Sequence, residues 1–423
     1  MLSVIKRRLY FVVAGYFAFW ARFVLRRWQP KVVVITGSTG KTTVLHMVEA
    51  QLGEKAFYTH DANSSMGIPF VLLGLKPNVA HKWQWPIYLL RAPFGVFRKL
   101  PSQKLLVAEA DTDRPGEGQF IAGLLQADFT AWVSVYRTHS MNFDRLVQSG
   151  RFESPDEAIA YDFGYFAAAT KEVIAADGDQ PLLVGQLKRA AQGVKIELAT
   201  AKSVTGYQLT KTETVFTFSK QHIHLKGLHP KEIGISLQLV QSLLNYLGEP
   251  LDPNYTKLVM PAGRSSVFEG KHNLTLVDST YNTGLGATTA IARLFGDYPA
   301  EHKWLVFGDI LEQGKSEKEE HQKLAQVIND LKLDRVILIG PRTKKYTLPL
   351  IDKATEVVSF LSPKEVLDYL NANVKGGEAI LFKGGRFLEG VIEQLLAQPS
   401  QASHLVRRSA AWVKRRQKWG LPR

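Results

Sequence analysis

The sequence predicts an α/β protein with two successive domains, a parallel-sheet domain followed by a smaller α/β domain, and an apolar helix at its front. Three observations carry this. The run Lys31-Val-Val-Val-Ile-Thr-Gly-Ser-Thr-Gly-Lys-Thr-Thr43 is a β-branched strand that empties into a glycine turn. Beyond it, short apolar runs alternate with helical stretches, the pattern of strands wound in parallel by crossovers. Ahead of it, Leu9 to Leu25 is apolar apart from Arg22.

The glycine turn is the most specific signal. Gly37 and Gly40 let successive N–H groups curl toward an anion, with Ser38, Thr39 and Thr43 completing the loop. Lys41 supplies a point charge to the β/γ-phosphates, and the Thr42 hydroxyl can hold Mg²⁺. Val44 to Leu52 reads as a helix whose N-terminus faces the phosphate. This is a nucleoside-triphosphate site, with ATP and Mg²⁺ as the expected cofactors.

Further strands are expected at Leu105–Ala110, Phe129–Val135, Leu274–Asp278, Trp304–Gly308, Arg335–Gly340 and Ala379–Phe382. Residues 206–226 alternate in the manner of antiparallel hairpins, and Gly248 to Gly263 makes a hinge. In parallel sheets ligands gather at the carboxyl ends of strands, where Glu109 and His139 fall. The expected domains are residues 1–30, a membrane-associating helix; 31–262, an ATP-binding domain; 263–397, a Rossmann-like domain; and 398–423, a basic aromatic tail.

Charge is distributed unevenly. Residues 1–31 carry seven Lys or Arg and no acid, and residues 398–423 carry another seven and no acid. Removing those fourteen from the 53 basic residues leaves 39, equal to the 39 acids. The body is formally neutral, which argues against a nucleic-acid partner. Seventeen helical residues from Leu9 span about 26 Å, at the short limit for a bilayer crossing. A Lys or Arg near an anionic leaflet contributes about 1 kcal/mol, so both tails are expected on an anionic membrane surface, on the cytoplasmic side where ATP is found. The chain has no cysteine, which excludes disulfides, thiolate metal sites and cysteine nucleophiles.

With these pieces in order, the sequence resembles the Mur ligase family, most closely its MurF (D-alanyl-D-alanine-adding) branch, from about Val32 to Leu396. The ordered motifs are the T-G-x-x-G-K-T-T loop, Asn63-Ser-Ser-Met-Gly-Ile-Pro69, Glu109 followed by Pro115-Gly-Glu117, and His139. They continue with Pro261-Ala-Gly-Arg264, Asp278-Ser-Thr-Tyr-Asn282, Gly308-Asp-Ile-Leu-Glu-Gln-Gly314 with His321, and Lys383-Gly-Gly-Arg386. The resemblance implies a ligase in which ATP phosphorylates a carboxylate and an amine attacks the acyl phosphate, giving an amide of a cell-envelope (cell-wall, peptidoglycan) or peptide-polymer precursor. It implies that Thr42 and Glu109 hold Mg²⁺, that His139 serves a second Mg²⁺, and that Asn282 contacts adenine. Asp278 and Arg264 would bind ribose and phosphates as the domains close. Asn63, Asp309, Glu312, Lys383 and Arg386 would meet the substrates, an amino acid or dipeptide and a carboxylate acceptor. Plainer readings stand beside these: a strand-end ion pair for Glu109, a structural histidine for His139, a turn cap for Asp278, and surface charges for Arg264, Lys383 and Arg386.

The chain departs from the family pattern in two places. Many members hold the second Mg²⁺ with a carbamoylated lysine; here Phe163 stands at that position, and Lys171, eight residues on, lies about 80° away around a helix. About 30 residues precede the glycine loop, where nucleotide-sugar-using members carry a UDP-binding domain. That suggests a lipid-linked or polymeric acceptor. Rival readings are a poly-γ-glutamate-synthase-like ligase and a nucleotide-binding partner subunit without catalysis.

Overall fold

The computed structural model describes residues 2–60, 62–76, 84–281, 283–353, 355–385 and 387–421. The β-branched run Lys31–Thr36 forms strand β1, buried along all but its first residue, as expected of a strand covered on both faces. It sits inside a parallel sheet of order β2-β3-β1-β4-β5-β6, with β2 at Phe57–Tyr58, β3 at Leu105–Ala110, β4 at Phe129–Trp132, β5 at Val173–Asp177 and β6 at Lys195–Ala199. In register, Ile35 lies beside Glu109 and Thr36 beside Ala110, and Thr36 also lies beside Trp132. The ends of β1, β3 and β4 therefore share one edge of the sheet, where ligand sites of such sheets collect.

The chain forms two compact units. Unit 1 comprises Met1–Tyr136, Arg145–Ala201 and Ile235–Asp252; unit 2 comprises Arg137–Asp144, Lys202–Gly234 and Pro253–Arg423. The helices up to the end of unit 1 are α1 (Leu2–Trp28), α2 (Lys41–Leu52), α3 (Gly67–Leu72), α4 (Trp85–Arg91), α5 (Glu117–Leu125), α6 (Asp144–Gln148), α7 (Pro155–Ala169), α8 (Pro181–Leu187) and α9 (Ile233–Leu247). Helix α7 starts where Ser154 accepts from the Glu157 N–H and Pro155 takes the first position, a standard N-terminal signal. Gly118 lets α5 approach α7: a Cβ there would lie 2.1 Å from the Asp162 carbonyl oxygen.

Helix α1 is longer than the apolar run and is a wall of unit 1. Ala14, Phe17, Ala18, Ala21, Val24 and Trp28 recur at helical spacing and are all buried. Phe17 meets Phe70 of α3 edge to face at 4.6 Å, and Trp28 Nε1 donates to the Gln103 carbonyl at 2.7 Å. One face of this helix is thus committed to protein, and the opposite stripe, Leu9, Val12, Tyr16, Phe19 and Phe23, is exposed. By length and composition α1 could cross a bilayer.

Unit 2 holds a sheet of order β10-β11-β15-β12-β13-β14 and a separate three-stranded sheet β7-β8-β9. The latter is the expected antiparallel hairpin set, Gly206–Leu209, Glu213–Phe218 and Gln221–Lys226. In the larger sheet β10 (Ser266–Gly270) is antiparallel to β11 (Leu274–Ser279). The other strands, β12 (Lys303–Gly308), β13 (Arg335–Ile339), β14 (Glu356–Phe360) and β15 (Ala379–Lys383), pair in parallel. Alternate side chains feed two cores. Leu276, Val306, Ile337 and Phe382 pack with α12 (Pro363–Asn373) and α13 (Leu388–Leu395). Val277, Leu305, Phe307 and Leu381 pack with α10 (Leu285–Asp297) and α11 (Glu317–Asn329).

The C-terminal tail, ending in α14 (Ala410–Gln417), also belongs to unit 2. Leu405 and Leu421 enter its core. Arg408 grips Glu393 through both guanidinium nitrogens at 2.7 and 2.8 Å. The buried Arg416 lies 3.6 Å from Glu389 and 3.5 Å from Glu393, and Arg407 lies 3.4 Å from Glu389. Three arginines of the basic tail are thus engaged within the protein, where they neutralise two glutamates of α13. Replacing Arg416 with Met should destabilise unit 2 by about 3 kcal/mol, because Glu389 and Glu393 lose a buried counter-charge. Equilibrium denaturation compared with the parent protein measures this.

Candidate active site

The glycine turn is built by close approach. Gly37 has φ 131°, and a Cβ on it would lie 2.7 Å from both the N and O of Ser134. Gly40 adopts φ 84° directly before α2. The turn is stitched to the chain beyond β4: Ser38 N donates to Ser134 O at 3.0 Å, Thr39 N to Ser134 Oγ at 2.9 Å, and Tyr136 N to Ser38 Oγ at 2.9 Å. Lys41, at the first position of α2, is buried with its ammonium folded into the turn. It donates to Gly37 O at 2.5 Å and pairs with Asp111 at 2.6 Å. Thr42 Oγ1 donates to Glu109 Oε1 at 3.2 Å, and Asn63 Nδ2 donates to the same oxygen at 3.3 Å. Thr43, which follows, is buried in α2. A left-handed glycine cradle at a helix N-terminus suits a phosphate chain, and a hydroxyl beside a carboxylate suits Mg²⁺. The residues present fit both.

Unit 2 contains a second charged cluster. Asp278 stands one residue before the end of β11 and Lys383 closes β15, with Ser279 beside Lys383 in register. Asp278 Oδ1 accepts from the Thr280 N–H at 2.9 Å and its hydroxyl at 2.7 Å. Burial pushes the Asp278 carboxyl upward, opposed by Thr280, Arg407 and Lys383. Burial also pushes Lys383 down to about 7; Arg264 adds to the fall and Asp278 resists it. The Arg264 guanidinium covers the Tyr281 ring at 4.5 Å. Arg407 donates to the carbonyls of Thr280 and Tyr281, each at 3.2 Å, so the tail braces this turn.

Elsewhere in unit 2, His139 Nδ1 lies 2.5 Å from Glu312 and Ser140 Oγ donates to Gln313 O at 3.1 Å, joining the His139 segment to the Gly308–Gly314 loop. His321 anchors the same loop: its Nε2 accepts from Ile310 N at 3.2 Å while Nδ1 donates to Glu317 O at 2.7 Å. Burial holds His321 below the usual histidine range, consistent with that neutral tautomer. Asp309 is fully buried and accepts from the N–H groups of Arg342 and Thr343 at 3.1 and 2.9 Å. Its carboxylate fixes the turn after β13. Asn282 and Arg386 lie outside the described residues.

Residues 263–386 match the family model described as Mur ligase, glutamate ligase domain. The chain is 24% identical over 416 residues to the UDP-N-acetylmuramoyl-tripeptide–D-alanyl-D-alanine ligase of Buchnera aphidicola, covering 92% of this chain and 80% of that one. It is 22% identical over 402 residues to the enzyme of the same name from Bacillus subtilis, covering 90% and 79%. A crystal structure of the MurF ligase of Thermotoga maritima in complex with ADP superimposes with a TM-score of 0.72 at 22% identity, covering 90% of this chain and 82% of that one. The chain has the Mur ligase fold.

Against the Mur ligase pattern, the position of the carbamoylated lysine is closed. Phe163 is fully buried and packs on Trp132, ring centres 6.3 Å apart. Lys171 lies beyond the end of α7 and pairs with Asp128 at 3.0 Å. A second Mg²⁺ held through a carbamoylated lysine does not fit here. Beside Phe163, Asp162 accepts from Gly116 N at 2.8 Å and Gly118 N at 3.0 Å, and burial pushes it up to about 6. Glu117 accepts from Ser65 N at 3.0 Å and Ser65 Oγ at 2.6 Å, tying the two loop motifs together. Asp111 and Asp162 were not singled out from sequence. Asp111 had a signal, since it stands two residues beyond Glu109 at the same strand end.

Two outcomes follow from this geometry. Lys41→Ala should weaken ATP binding at least about tenfold by removing the charge in the cradle, read by titration calorimetry. Lys383 binds its proton in the folded state only below about 7, against an ordinary 10.5, so between these values the unfolded chain holds more protons. Its contribution to stability therefore rises with pH from about 7 to 10.5. Lys383→Met should flatten that rise in thermal melts taken across this range.

Proposed function

We propose that this chain is an ATP-dependent carboxylate–amine ligase of cell-wall peptide assembly, working through an acyl phosphate on the cytoplasmic side of a membrane. The observation that carries the reading is the convergence of Lys41, Thr42, Asn63 and Glu109 at one strand edge. ATP supplies the phosphoryl group that makes the carboxylate reactive, and an amine then displaces phosphate to form the amide. Such transfer needs positioning and charge neutralisation, not a protein nucleophile. Lys41 and the first backbone amides of α2 hold the phosphate chain. Thr42 and Glu109 hold the metal, and Asn63 fixes the Glu109 rotamer from the substrate side.

On unit 2, the roles that the family resemblance implies for His139, Arg264, Asp278, Glu312 and Lys383 are part of the same proposal. Asp309 enters it as a support of its loop. The carboxylate partner is a muramoyl peptide of the kind named for the relatives, and the amine partner is a dipeptide. The lipid-linked acceptor suggested by sequence has no counterpart in those names, and it serves as the competing substrate in the test.

The test incubates the protein with ATP, Mg²⁺, D-alanyl-D-alanine and UDP-N-acetylmuramoyl-tripeptide, or its lipid-linked equivalent, and follows phosphate release and product mass. Amide product with the parent protein and none with Lys41→Ala is expected. The buried Phe163 at the position of the carbamoylated lysine favours a second reading, a nucleotide-binding partner subunit. ATP binding without turnover on every carboxylate–amine pair would establish that reading instead.

A further inference from the structure

We propose that the outer stripe of α1, together with a shoulder formed by α4 and the 3-10 turn Pro93–Phe97, is a docking surface for an anionic phospholipid leaflet, on which unit 1 lies without being threaded through it. This takes up the membrane placement proposed above and does not rest on the ligase chemistry.

Two apolar stripes run along α1. The inner one, from Ala14 to Trp28, is buried in unit 1. The outer one, Leu9, Val12, Tyr16, Phe19 and Phe23, follows the same helical spacing and is exposed. Beside it stands a segment not singled out from sequence. Tyr16 Oη donates to the Leu89 carbonyl of α4 at 2.8 Å, and Arg27 donates to the Val96 carbonyl. On this shoulder Leu90 is 73% exposed, Phe94 74% and Phe97 81%. Large apolar side chains left this bare on adjoining segments mark an interaction site.

Charge identifies the occupant. Residues 1–48 and 62–108, which supply the whole surface, contain no Asp or Glu, although the chain has 39. Arg22, Arg26, Arg91 and Lys99 are exposed on the same segments. Apolar insertion combined with a basic rim is the two-signal pattern of an interfacial protein, and long basic side chains can keep their heads at the phosphate level while the apolar groups enter. A second copy of the chain would bring the same acid-free basic rim against itself, which like-charge repulsion disfavours. Crossing the bilayer would strip the inner stripe from its partners in unit 1. Interfacial docking leaves them in place. The same helix reaches the phosphate-site loops, with Tyr10 Oη 2.9 Å from Ser65 Oγ and 3.4 Å from Glu117. Lipid contact and the Asn63–Glu109 pair therefore sit on one packed body.

Flotation of the full-length protein with vesicles of phosphatidylcholine, with and without phosphatidylglycerol, tests this. The bound fraction should rise at least about tenfold with the anionic lipid. The combined variant Leu90→Glu, Phe94→Glu, Phe97→Glu should lose at least about tenfold of that binding with unchanged circular dichroism and ATP affinity, because all three side chains are exposed. An alkaline carbonate wash should release the parent protein. A variant that floats like the parent would overturn the surface assignment while leaving membrane placement intact, and a parent that does not float would overturn both. Retention through the wash would replace docking with a crossing. Concentration-dependent dimers that the triple substitution abolishes, without vesicle binding, would give the face to a second copy.

Discussion

A buried ammonium at the positive end of a helix is the constraint around which unit 1 is arranged. Lys41 begins α2, where the helix dipole disfavours a cation, and burial removes the water that would solvate it. The Gly37 carbonyl and Asp111 compensate it. That demand accounts for much of the local architecture. The turn must curl back on itself, so Gly37 must lie against the Ser134 backbone, and β3 must deliver an acid just beyond its end. A phosphate chain entering the cradle offers Lys41 a stronger counter-charge than one carboxylate, so the site is poised to exchange an internal partner for an external one.

Unit 2 meets a related demand with different means. Asp278 and Lys383 lie at the ends of neighbouring strands, and Arg264 lies near enough to depress Lys383 further. Below about pH 7, where Lys383 keeps its proton, two cations face one anion in a low-dielectric setting, where charge acts more strongly than in water. Such centres are costly to fold, and they concentrate at sites that handle anions.

The parts legible in the sequence were those written in short-range pattern. Strands β1, β3, β11, β12 and β15 are buried runs of β-branched and aliphatic residues, and the glycine turn has a spacing that few other structures need. The two faces of α1 were not legible, because apolar and aromatic residues occur all around the helix and periodicity cannot say which stripe meets protein. The shoulder at Leu90–Phe97 was missed for a related reason: apolar runs ordinarily read as core, and only exposure distinguishes them. The pairing of the basic tail was not legible because a charge count cut at residue 398 separates Arg408 and Arg416 from Glu389 and Glu393, which lie 15 or more residues earlier in sequence and adjacent in space. Lys171, already poorly placed by helical geometry, lies beyond the helix altogether, since α7 ends at Ala169.

The bracing of Thr280 and Tyr281 by Arg407 has a consequence for biosynthesis. The turn that follows β11 takes a fixing contact from Arg407, 127 residues beyond Thr280, and the core of unit 2 takes Leu405 and Leu421 from the same region. While the ribosome still encloses those residues, the second unit lacks part of its interior and a brace of its charged turn. Unit 1, whose last segment ends at Asp252, has all its parts well before. Completion of the two halves is therefore staggered along the chain: unit 1 has its parts once Asp252 is made, and unit 2 waits for the segment from Leu405 to Leu421.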